Sequence, residues 1–256
     1  MRLQLTLEHR NNSGLPINYQ YFISSWIYHT LGRANPEFAT WLHEQGYGYG
    51  GKQYKLFTFS QLMPQRYDID KQQGLFICQQ SPTTLILSFH LNEAFQHFVV
   101  GLFNDQKFSL GNRDFQVDFS IQSVETLPKP VFTNTTRFHL QKPLCISRDE
   151  MGKAQAQYKS PEDSGYPELL FQNLLRKKQA LENTTDNPKS SISFKDLNFK
   201  LLSEPKSQLL HIKNQKIRGY LFDFEMTAPI ELLELGYYGG FGEKNSSLGM
   251  GMTTIF

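Results

Sequence analysis

The sequence lacks the features that mark metal-binding, disulfide-bonded and membrane proteins. Its two cysteines, Cys78 and Cys145, lie far apart and outside any Cys-x-x-Cys pair, and no His, Asp and Cys grouping suggests a metal site. The N-terminal residues lack the apolar core of a signal peptide, and no run approaches the ~18 apolar residues of a membrane helix. We therefore expect a cytoplasmic protein with two buried thiols, no metal or other cofactor, and no membrane partner.

The chain also lacks a strong excess of charge. Its 256 residues have a formal net charge of +2 and a pI of about 8.4, so any nucleic-acid surface must be a local patch. The length accommodates one large domain or two domains of about 100 to 150 residues each. The polar segment Glu125–Pro130 contains two prolines and is either a domain boundary or a simple loop. We take it as the boundary and predict domains at residues 1–125 and 126–256.

Periodic patterns in the first half predict both strands and helices. Leu3, Leu5 and Leu7 alternate with polar residues, as in a half-buried strand. A helix capped by Asn18 should run to about residue 31, and Asn35, followed by proline and glutamate, should start another that ends near residue 46. Further strands are predicted at 52–60, 74–79, 83–89 and 115–124, with a helix at 92–102.

The second half shows the same mixture. Strands are predicted at 138–147 and 216–226, and a closing strand at 248–256. A long helix is predicted over 166–181 and a short one over 229–235, whereas the polar segments 148–163 and 183–191 are expected to be loops. The order of these elements is compatible with a two-domain α+β protein.

An unusual glycine-rich segment precedes the last predicted strand. Five glycines, at positions 239, 240, 242, 249 and 251, flank a polar group that includes Lys244. Glycines expose backbone N–H groups and permit positive φ, so such a loop can lie against a phosphate backbone, with the lysine supplying charge. Taken alone, the pattern is equally compatible with an ordinary turn.

Several segments resemble the C-terminal signature of the CRISPR repeat-processing endoribonucleases, the Cas-six family. They are Gly219-Tyr-Leu-Phe-Asp-Phe224, Glu231-Leu-Leu-Glu-Leu235 and the glycine loop from Gly240 to Gly251. The helix segment Asn173-Leu-Leu-Arg-Lys-Lys178 is also similar to that family. Six residues separate Gly242 from Gly249, where the family usually has five. The resemblance covers most of the chain and implies two tandem ferredoxin-like (RRM-like) βαββαβ domains with a C-terminal glycine-rich loop.

The resemblance also implies three catalytic residues in the first half. They are His43 in Trp-Leu-His-Glu, Tyr28 in Trp-Ile-Tyr-His, and Lys55 just before a strand. Metal-independent cleavage of RNA by its own 2′-hydroxyl needs a proton acceptor, a proton donor and a charge stabiliser, and these side chains suit those tasks. Strict alternation would put Lys55 on the core face of its strand, so Lys52 is an alternative, as is His29 for the histidine.

More ordinary interpretations of these residues stay open. His43 could be a solvated helical histidine, and Tyr28 an amphipathic residue at the edge of the core. The residues predicted to contact RNA are Gly240, Gly242, Lys244, Asn245, Ser246, Gly249 and Gly251 of the loop, together with Arg218. Lys213, Lys216 and residues 176–178 are further candidates for phosphate contacts, whereas Tyr237 and Tyr238 are expected in the core.

The function implied by the resemblance is cleavage of CRISPR precursor RNA within each repeat. Attack by the 2′-hydroxyl would leave a 5′-hydroxyl and a 2′,3′-cyclic phosphate, and the expected partner is the repeat RNA. One alternative is a non-catalytic subunit that binds repeat RNA in a CRISPR effector complex. Another is an unrelated ferredoxin-like RNA-binding module with broad, salt-sensitive affinity. For the nuclease, the sequence leaves open whether it forms a homodimer and whether it keeps its product in an effector complex.

Overall fold

The computed structural model describes residues 1–9, 14–148, 157–183, 197–212 and 215–256. The described chain forms two compact units. The first unit contains residues 1–44 and 59–128, and the second contains residues 45–58 and 129–256. Residues 45–58, which include Lys52 and Lys55, therefore group with the C-terminal half of the chain, whereas the sequence prediction assigned them to the N-terminal domain.

The helices and strands alternate along the whole chain. Up to residue 128 they are β1 (Arg2–His9), β2 (Gly14–Pro16), α1 (Gln20–Ala34), α2 (Pro36–Glu44), β3 (Tyr47–Tyr49), β4 (Lys52–Tyr54), β5 (Phe57–Phe59), β6 (Met63–Asp70), β7 (Leu75–Phe89), α3 (Asn92–Asn104), β8 (Lys107–Gly111) and β9 (Gln116–Thr126). The remainder are β10 (Thr135–Leu140), β11 (Ser147–Arg148), β12 (Gln157–Tyr158), α4 (Tyr166–Glu182), β13 (Asn198–Leu201), β14 (Lys206–Ile212), β15 (Gln215–Leu221), β16 (Asp223–Thr227), α5 (Ile230–Gly239), α6 (Asn245–Leu248) and β17 (Thr253–Ile255).

The first unit has the ferredoxin-like βαββαβ order. Its principal strands lie in the sheet order β6-β7-β1-β9, with α1 and α3 as the two connecting helices. Strand β2 also pairs with β7, and β8 extends the other edge beside β9. In β1, Leu3 and Leu5 lie opposite Leu87 and Leu85 of β7, and all four side chains are buried. The alternation in β1 thus places one face of the central strands on the core, as predicted.

Aromatic side chains fill the core beneath this sheet. Trp26 of α1 stacks on Phe108 with ring centroids 4.0 Å apart, and it meets Phe98 of α3 edge to face. Offset stacking and edge-to-face contact are the favoured geometries of aromatic pairs. These contacts fix which face of α1 is buried, and therefore which of its side chains reach the surface.

The second unit repeats the same topology. Its sheet order is β13-β16-β10-β17, and α4 and α5 are the connecting helices. Phe138 and Phe224 pair across β10 and β16, and Phe241 packs edge to face on Phe224. Hairpins β3–β4, β11–β12 and β14–β15 are added to this frame. The prediction of two tandem ferredoxin-like domains is confirmed.

Four predicted strands need correction. The strand predicted at 52–60 is interrupted by Leu56, whose φ of 54° is left-handed, so β4 and β5 are separate. The strand predicted at 216–226 divides at Phe222, because β15 pairs with β14 whereas β16 joins the four-stranded sheet. The segment predicted at 138–147 keeps its strand only to Leu140, and the closing strand begins at Thr253 because residues 248–252 belong to the glycine loop.

Two further expectations differ in detail, and others hold. Residues 75–79 and 83–89 lie in one continuous strand, β7, and α1 begins at Gln20 with Tyr19, rather than Asn18, at the N-cap position. The predicted helices at 166–181, 92–102 and 36–46 are confirmed as α4, α3 and α2. The loop predicted at 148–163 is wrong at residues 148, 157 and 158, which belong to the paired strands β11 and β12, and residues 149–156 and 184–191 of the two predicted loops lie outside the described residues. Cys78 and Cys145 are buried free thiols, as predicted.

Candidate functional site

Helix α2 presents His43 to solvent. Asn35 caps this helix, because its side-chain Oδ1 accepts a hydrogen bond of 2.9 Å from the backbone N–H of Phe38. Pro36 occupies the first turn, and Phe38 and Leu42 are buried. With that face on the core, the 100° rotation between consecutive helical residues turns His43 outward, and its side chain is exposed. The accessibility predicted for this histidine is confirmed.

Helix α1 brings Tyr28 to His43. The two rings meet edge to face, with centroids 4.9 Å apart and an angle of 88° between their planes. Tyr28 is half-buried, whereas the neighbouring His29 is exposed. These three side chains and Arg33 line an open cavity of about 550 Å³ in the first unit. The histidine and the tyrosine predicted from the sequence are therefore adjacent, and the alternative histidine borders the same cavity.

Lys55 lies in the second unit, between two short strands. Strand β4 ends at Tyr54 and β5 begins at Phe57, and the left-handed Leu56 between them is buried. Lys55 is therefore outside the strict alternation that would have placed it on a core face. Its Nζ atom is shielded from solvent and makes no hydrogen bond with the described part of the chain, and burial lowers its pKa to about 8. Lys52, the alternative, is exposed, and its Nζ lies 3.5 Å from Glu243 Oε1.

A buried lysine in α4 holds the glycine loop in place. The side chain of Lys177 is 2% exposed, and its Nζ donates hydrogen bonds to Gly240 O at 2.6 Å and to Gly242 O at 2.8 Å. A third bond of 2.8 Å goes to Asn245 Oδ1. Burial lowers the pKa of Lys177 to about 7, but three acceptors require three protons on the nitrogen, so the bonded form is the ammonium ion.

Sequence reasoning missed the role of Lys177. Residues 176–178 were considered only as surface cations for RNA. A positive run on a helix gives no sign of which lysine is buried, and the buried one is defined by acceptors more than 60 positions away in the sequence. The signal that could have found it is the position of Lys177 one helical turn after Asn173 and three residues after Leu174, on a buried face.

Contacts within the glycine loop add to those that Lys177 makes with it. Asn245 Nδ2 donates to Phe241 O and to Met250 O, at 2.9 and 2.8 Å. Gly251 has a φ of +70°, and a Cβ atom added there would lie 1.8 Å from Phe241 O, so a side chain is excluded. Gly242 has a φ of +69°, and an added Cβ would lie 2.5 Å from Cys145 O.

These contacts divide the predicted RNA-binding residues of the loop into two groups. Lys244 is exposed and Ser246 half-buried, so both are accessible to a ligand. Asn245 is buried and uses its amide within the chain, and Gly240, Gly249 and Gly251 are also buried. The contact of this loop with RNA stays a prediction, and its accessible part is centred on residues 244, 246 and 247.

A cavity of about 340 Å³ lies beside the loop, entirely within the second unit. Residues 52–56 form one wall, Asn173 and Lys177 of α4 a second, and residues 242–247 a third. Four of the lining residues are lysines and one is a glutamate, Glu243, so the lining is positively charged. The structure thus gathers Lys55, its alternative Lys52, and Lys244 around one space.

The remaining candidate residues are placed as follows. Arg218 of β15 is exposed and donates a 2.7 Å hydrogen bond to Ser207 Oγ, and Lys216 is exposed on the same strand. Lys178 pairs with Glu231 at 2.6 Å. Tyr237 and Tyr238 are buried, as expected for core residues, and Lys213 lies outside the described residues.

The described residues form neither a metal site nor a membrane span. No group of three or more His, Cys, Asp and Glu side chains is arranged to hold a metal ion in the described part of the chain. None of the helices described is both long and apolar enough to span a bilayer.

Comparisons with known proteins agree with this architecture. The family model described as "CRISPR associated protein Cas6, C-terminal" matches residues 127–255, and "CRISPR-associated protein Cas6, N-terminal" matches residues 14–120. The chain is 31% identical over 258 residues to the CRISPR-associated endoribonuclease Cas6 1 of Methanocaldococcus jannaschii, covering 98% of this chain and 91% of that protein. It is 27% identical over 261 residues to a putative CRISPR-associated endoribonuclease-like protein Cas6 of Pyrococcus furiosus, covering 100% and 98%.

A solved structure gives the same answer for the fold. The Cas6-related protein of Pyrococcus furiosus matches with a TM-score of 0.80 and 26% identity, covering 100% of this chain and 98% of that one. The two ferredoxin-like units place the chain in the class of tandem ferredoxin-like proteins, here with a glycine loop before the last strand. The chain belongs to the Cas6 family of CRISPR-associated proteins.

Proposed function

We propose that this protein is a metal-independent endoribonuclease that cleaves CRISPR precursor RNA within its repeats to give guide RNAs. The observation that carries the proposal is the exposed ring of His43 in edge contact with Tyr28, in a chain whose relative at 31% identity is named a CRISPR-associated endoribonuclease. An accessible imidazole beside a phenol provides two groups able to exchange protons with a bound ribose and phosphate.

The reaction conserves all atoms of the RNA and requires no water in its first step. The 2′-oxygen loses its proton and forms a bond to the adjacent phosphorus, and the bond from phosphorus to the 5′-oxygen breaks. The leaving oxygen takes up a proton and becomes a 5′-hydroxyl, while the other product ends in a 2′,3′-cyclic phosphate. His43 and Tyr28 are the proposed proton-transfer pair, and Lys55 the cation that stabilises the charge on the pentavalent phosphate.

Mapping the cut and its ends tests the proposal directly. The protein is incubated with end-labelled repeat RNA in excess EDTA, and the products are treated with polynucleotide kinase with and without its phosphatase activity. One discrete cut within the repeat, with a cyclic phosphate on the upstream product, is the expected result. Tight binding without a cut, or cleavage that EDTA abolishes, would contradict the metal-independent nuclease.

RNA affinity is expected to depend on Lys244. This side chain is exposed on the glycine loop, so Lys244→Ala should weaken repeat binding several-fold. The slope of log affinity against log salt should become shallower by about 0.7 for each single-strand phosphate that the lysine neutralises. The cleavage step at saturating protein should change less than the affinity.

The matched control is Lys71→Ala, which changes an exposed lysine in a turn of the first unit. Salt titrations of Lys244→Ala and Lys71→Ala check the prediction. Equal losses of affinity in the two variants would contradict a specific role for Lys244.

Affinity should also fall with rising pH through the titration of Lys55. Because its pKa is about 8, the ammonium ion that binds phosphate is fully present below about pH 7 and is lost as pH rises through 8. The charged groups that surround it are Lys52, Lys177, Glu243 and Lys244, with the Tyr54 phenol. Lys55→Arg should remove the decline, since guanidinium stays protonated. Binding measured from about pH 6.5 to 9.5 checks the difference, and parallel curves would contradict a role for Lys55.

A second candidate function is a non-catalytic subunit that binds repeat RNA in a CRISPR effector complex. It is favoured by the Pyrococcus furiosus relative, whose name describes that protein as endoribonuclease-like. The two functions make opposite predictions for the mapped cut, and both predict binding.

The partners follow from the same proposal. The proposed substrate is the repeat RNA. Because the enzyme would act on a newly made transcript, we propose that it works in the cytoplasm. Retention of the product in an effector complex and pairing with a second copy of the chain are further proposals. Light scattering on the purified protein, alone and with cleaved repeat RNA, tests the homodimer, and co-purification of the tagged protein with other CRISPR proteins tests the complex.

A further inference from the structure

Three buried polar atoms around the cavity beside the glycine loop have no hydrogen-bond partner among the residues that the structure describes. They are Tyr54 Oη, Lys55 Nζ and Asn173 Oδ1, and all three side chains line this cavity of about 340 Å³. Tyr54 is 9% exposed and Asn173 is 7% exposed, so bulk water does not supply the missing hydrogen bonds of these two side chains. Buried polar groups in proteins are almost always paired, and an unpaired one requires an explanation. Three on the walls of one cavity indicate that a polar ligand completes them.

The size and charge of the cavity narrow the kind of ligand. A water molecule occupies about 30 Å³ in the liquid, and pockets for small molecules begin at about 300 Å³, so the cavity exceeds the needs of a single inorganic ion. The lining lysines favour an anion. Asn173 adds an amide, which presents an acceptor and a donor side by side, and burial raises the pKa of Tyr54, so that its phenol remains a donor. A nucleotide matches all of these groups, because its phosphate pairs with the lysines and its base offers hydrogen-bond donors and acceptors to the amide and the phenol.

The walls of the cavity are held in position before any ligand binds. Asn173 and Lys177 lie one turn apart on α4, and the three hydrogen bonds of Lys177 fix the facing glycine loop. Strand β3 packs on the same helix and sets the start of the 52–56 wall. A site whose frame is already ordered loses little conformational entropy on binding, so it discriminates between ligands better than a flexible surface.

We propose that this cavity binds a single nucleotide that is turned out of the RNA strand, and that it selects the base at that position of the repeat. The proposal rests on the RNA-processing function above and adds a specificity pocket to it. Lys55 pairs with the phosphate of this nucleotide, which is the same phosphate that Lys55 stabilises in the proposed cleavage step, and the edge of the base bonds to the Asn173 amide and the Tyr54 hydroxyl. Because the three atoms are shielded from solvent in the free protein, binding requires their side chains to rotate toward the ligand. Sequence-specific recognition of single-stranded RNA commonly uses unstacked bases in this way.

A double-mutant cycle between the protein and the RNA tests this pocket. Repeat RNAs are made with an abasic site at each position in turn and a 2′-deoxy sugar at the cut site, which blocks cleavage. For the wild-type protein, one abasic position is expected to weaken binding by roughly 5- to 150-fold, as for removal of a base held by two hydrogen bonds. Asn173→Ala and Tyr54→Phe should each weaken binding of the intact RNA. In these variants the same abasic site should reduce the affinity only slightly further.

Matched controls separate recognition from folding. Tyr67→Phe changes an exposed tyrosine of the first unit and Gln172→Ala an exposed amide on the same helix, and both should retain the full abasic penalty. Thermal unfolding identifies any variant that is not folded, and Tyr54→Phe, which removes one oxygen atom, keeps the test valid if Asn173→Ala is unstable. A flat abasic scan, or a penalty that persists unchanged in both pocket variants, would overturn the proposal.

The outcome is distinct from that of the proposed function. A single mapped cut with no coupling at Asn173 and Tyr54 rejects the pocket and leaves the nuclease intact, whereas coupling without any cut supports the pocket and rejects the nuclease. Free AMP, CMP, GMP and UMP are titrated in parallel. A free mononucleotide that binds as tightly as the repeat RNA, and is lost in Asn173→Ala, would assign the cavity to a soluble nucleotide and overturn the RNA-bound form.

Discussion

His43→Ala is expected to slow cleavage of repeat RNA by about 10² to 10⁴ while leaving its binding nearly unchanged, as for the loss of a positioned acid or base. The physical reason is the location of His43. Its side chain is exposed at the end of α2, makes its ring contact with Tyr28, and is not part of the core, so its removal should not disturb the fold. Single-turnover rates at saturating protein, measured beside equilibrium binding, check the expected split.

His29→Ala is the matched control for this variant. His29 is also exposed and lines the same cavity of the first unit, so the two substitutions remove the same ring from neighbouring positions. A large loss of rate in His29→Ala with normal cleavage by His43→Ala would transfer the role to the alternative histidine. An equal loss of binding and cleavage in a folded His43→Ala protein would contradict the catalytic assignment altogether.

Lys177→Met should cause a large loss of stability, because it removes the charged donor that joins α4 to the glycine loop. Methionine has a similar length and no donor, so Gly240 O, Gly242 O and Asn245 Oδ1 each lose a charged donor. A buried acceptor left without a partner costs about 1–3 kcal/mol, and we expect the free energy of unfolding to fall by about 2 to 5 kcal/mol. The melting temperature should drop by roughly 5 to 15 °C. Denaturant and thermal unfolding measure both.

The control for Lys177→Met is Lys200→Met, on β13. Lys200 is exposed, so the same change in charge and shape at that position should alter stability by no more than about 0.5 kcal/mol. The loop variant should also lose affinity for repeat RNA, because Lys244 is then no longer held near the cavity. Unchanged stability in Lys177→Met would show that the loop is ordered without this lysine.

Local sequence patterns predicted most helices and the exposure of His43, whereas the ferredoxin-like fold class was implied by the family resemblance. Leucine alternation in β1, the Asn35 cap with its proline, and the apolar face of α4 are local patterns, and local patterns survive folding when they agree with the tertiary structure. The apolar positions of α2 were decisive, because burial of Phe38 and Leu42 sets the rotation of the helix and thereby the outward direction of His43.

Residues defined by distant contacts could not be predicted in the same way. Leu56 adopts a left-handed φ that its residue type disfavours, so nothing local indicated that β4 and β5 are separate or that Lys55 escapes the core face. Lys177 and Asn245 have ordinary surface residue types, and only their positions within the folded second unit make them structural. The unpaired atoms of Tyr54 and Asn173 likewise exist only once three separate segments have assembled.

The grouping of residues 45–58 with the second unit has a consequence for how the protein is made. A ribosome releases the chain from its N-terminus, and domains of most proteins fold in that order. Here the segment that contains Lys55 emerges early, but the elements of its own unit begin at residue 129. The first unit can therefore form once residue 128 has been made, but residues 45–58 have no partner until the second unit is synthesised. A truncated product that ends near residue 128 would expose the β3–β4 strand pair with nothing to pack against. Premature termination should thus leave a fragment that quality-control proteases recognise, rather than a competent half-protein.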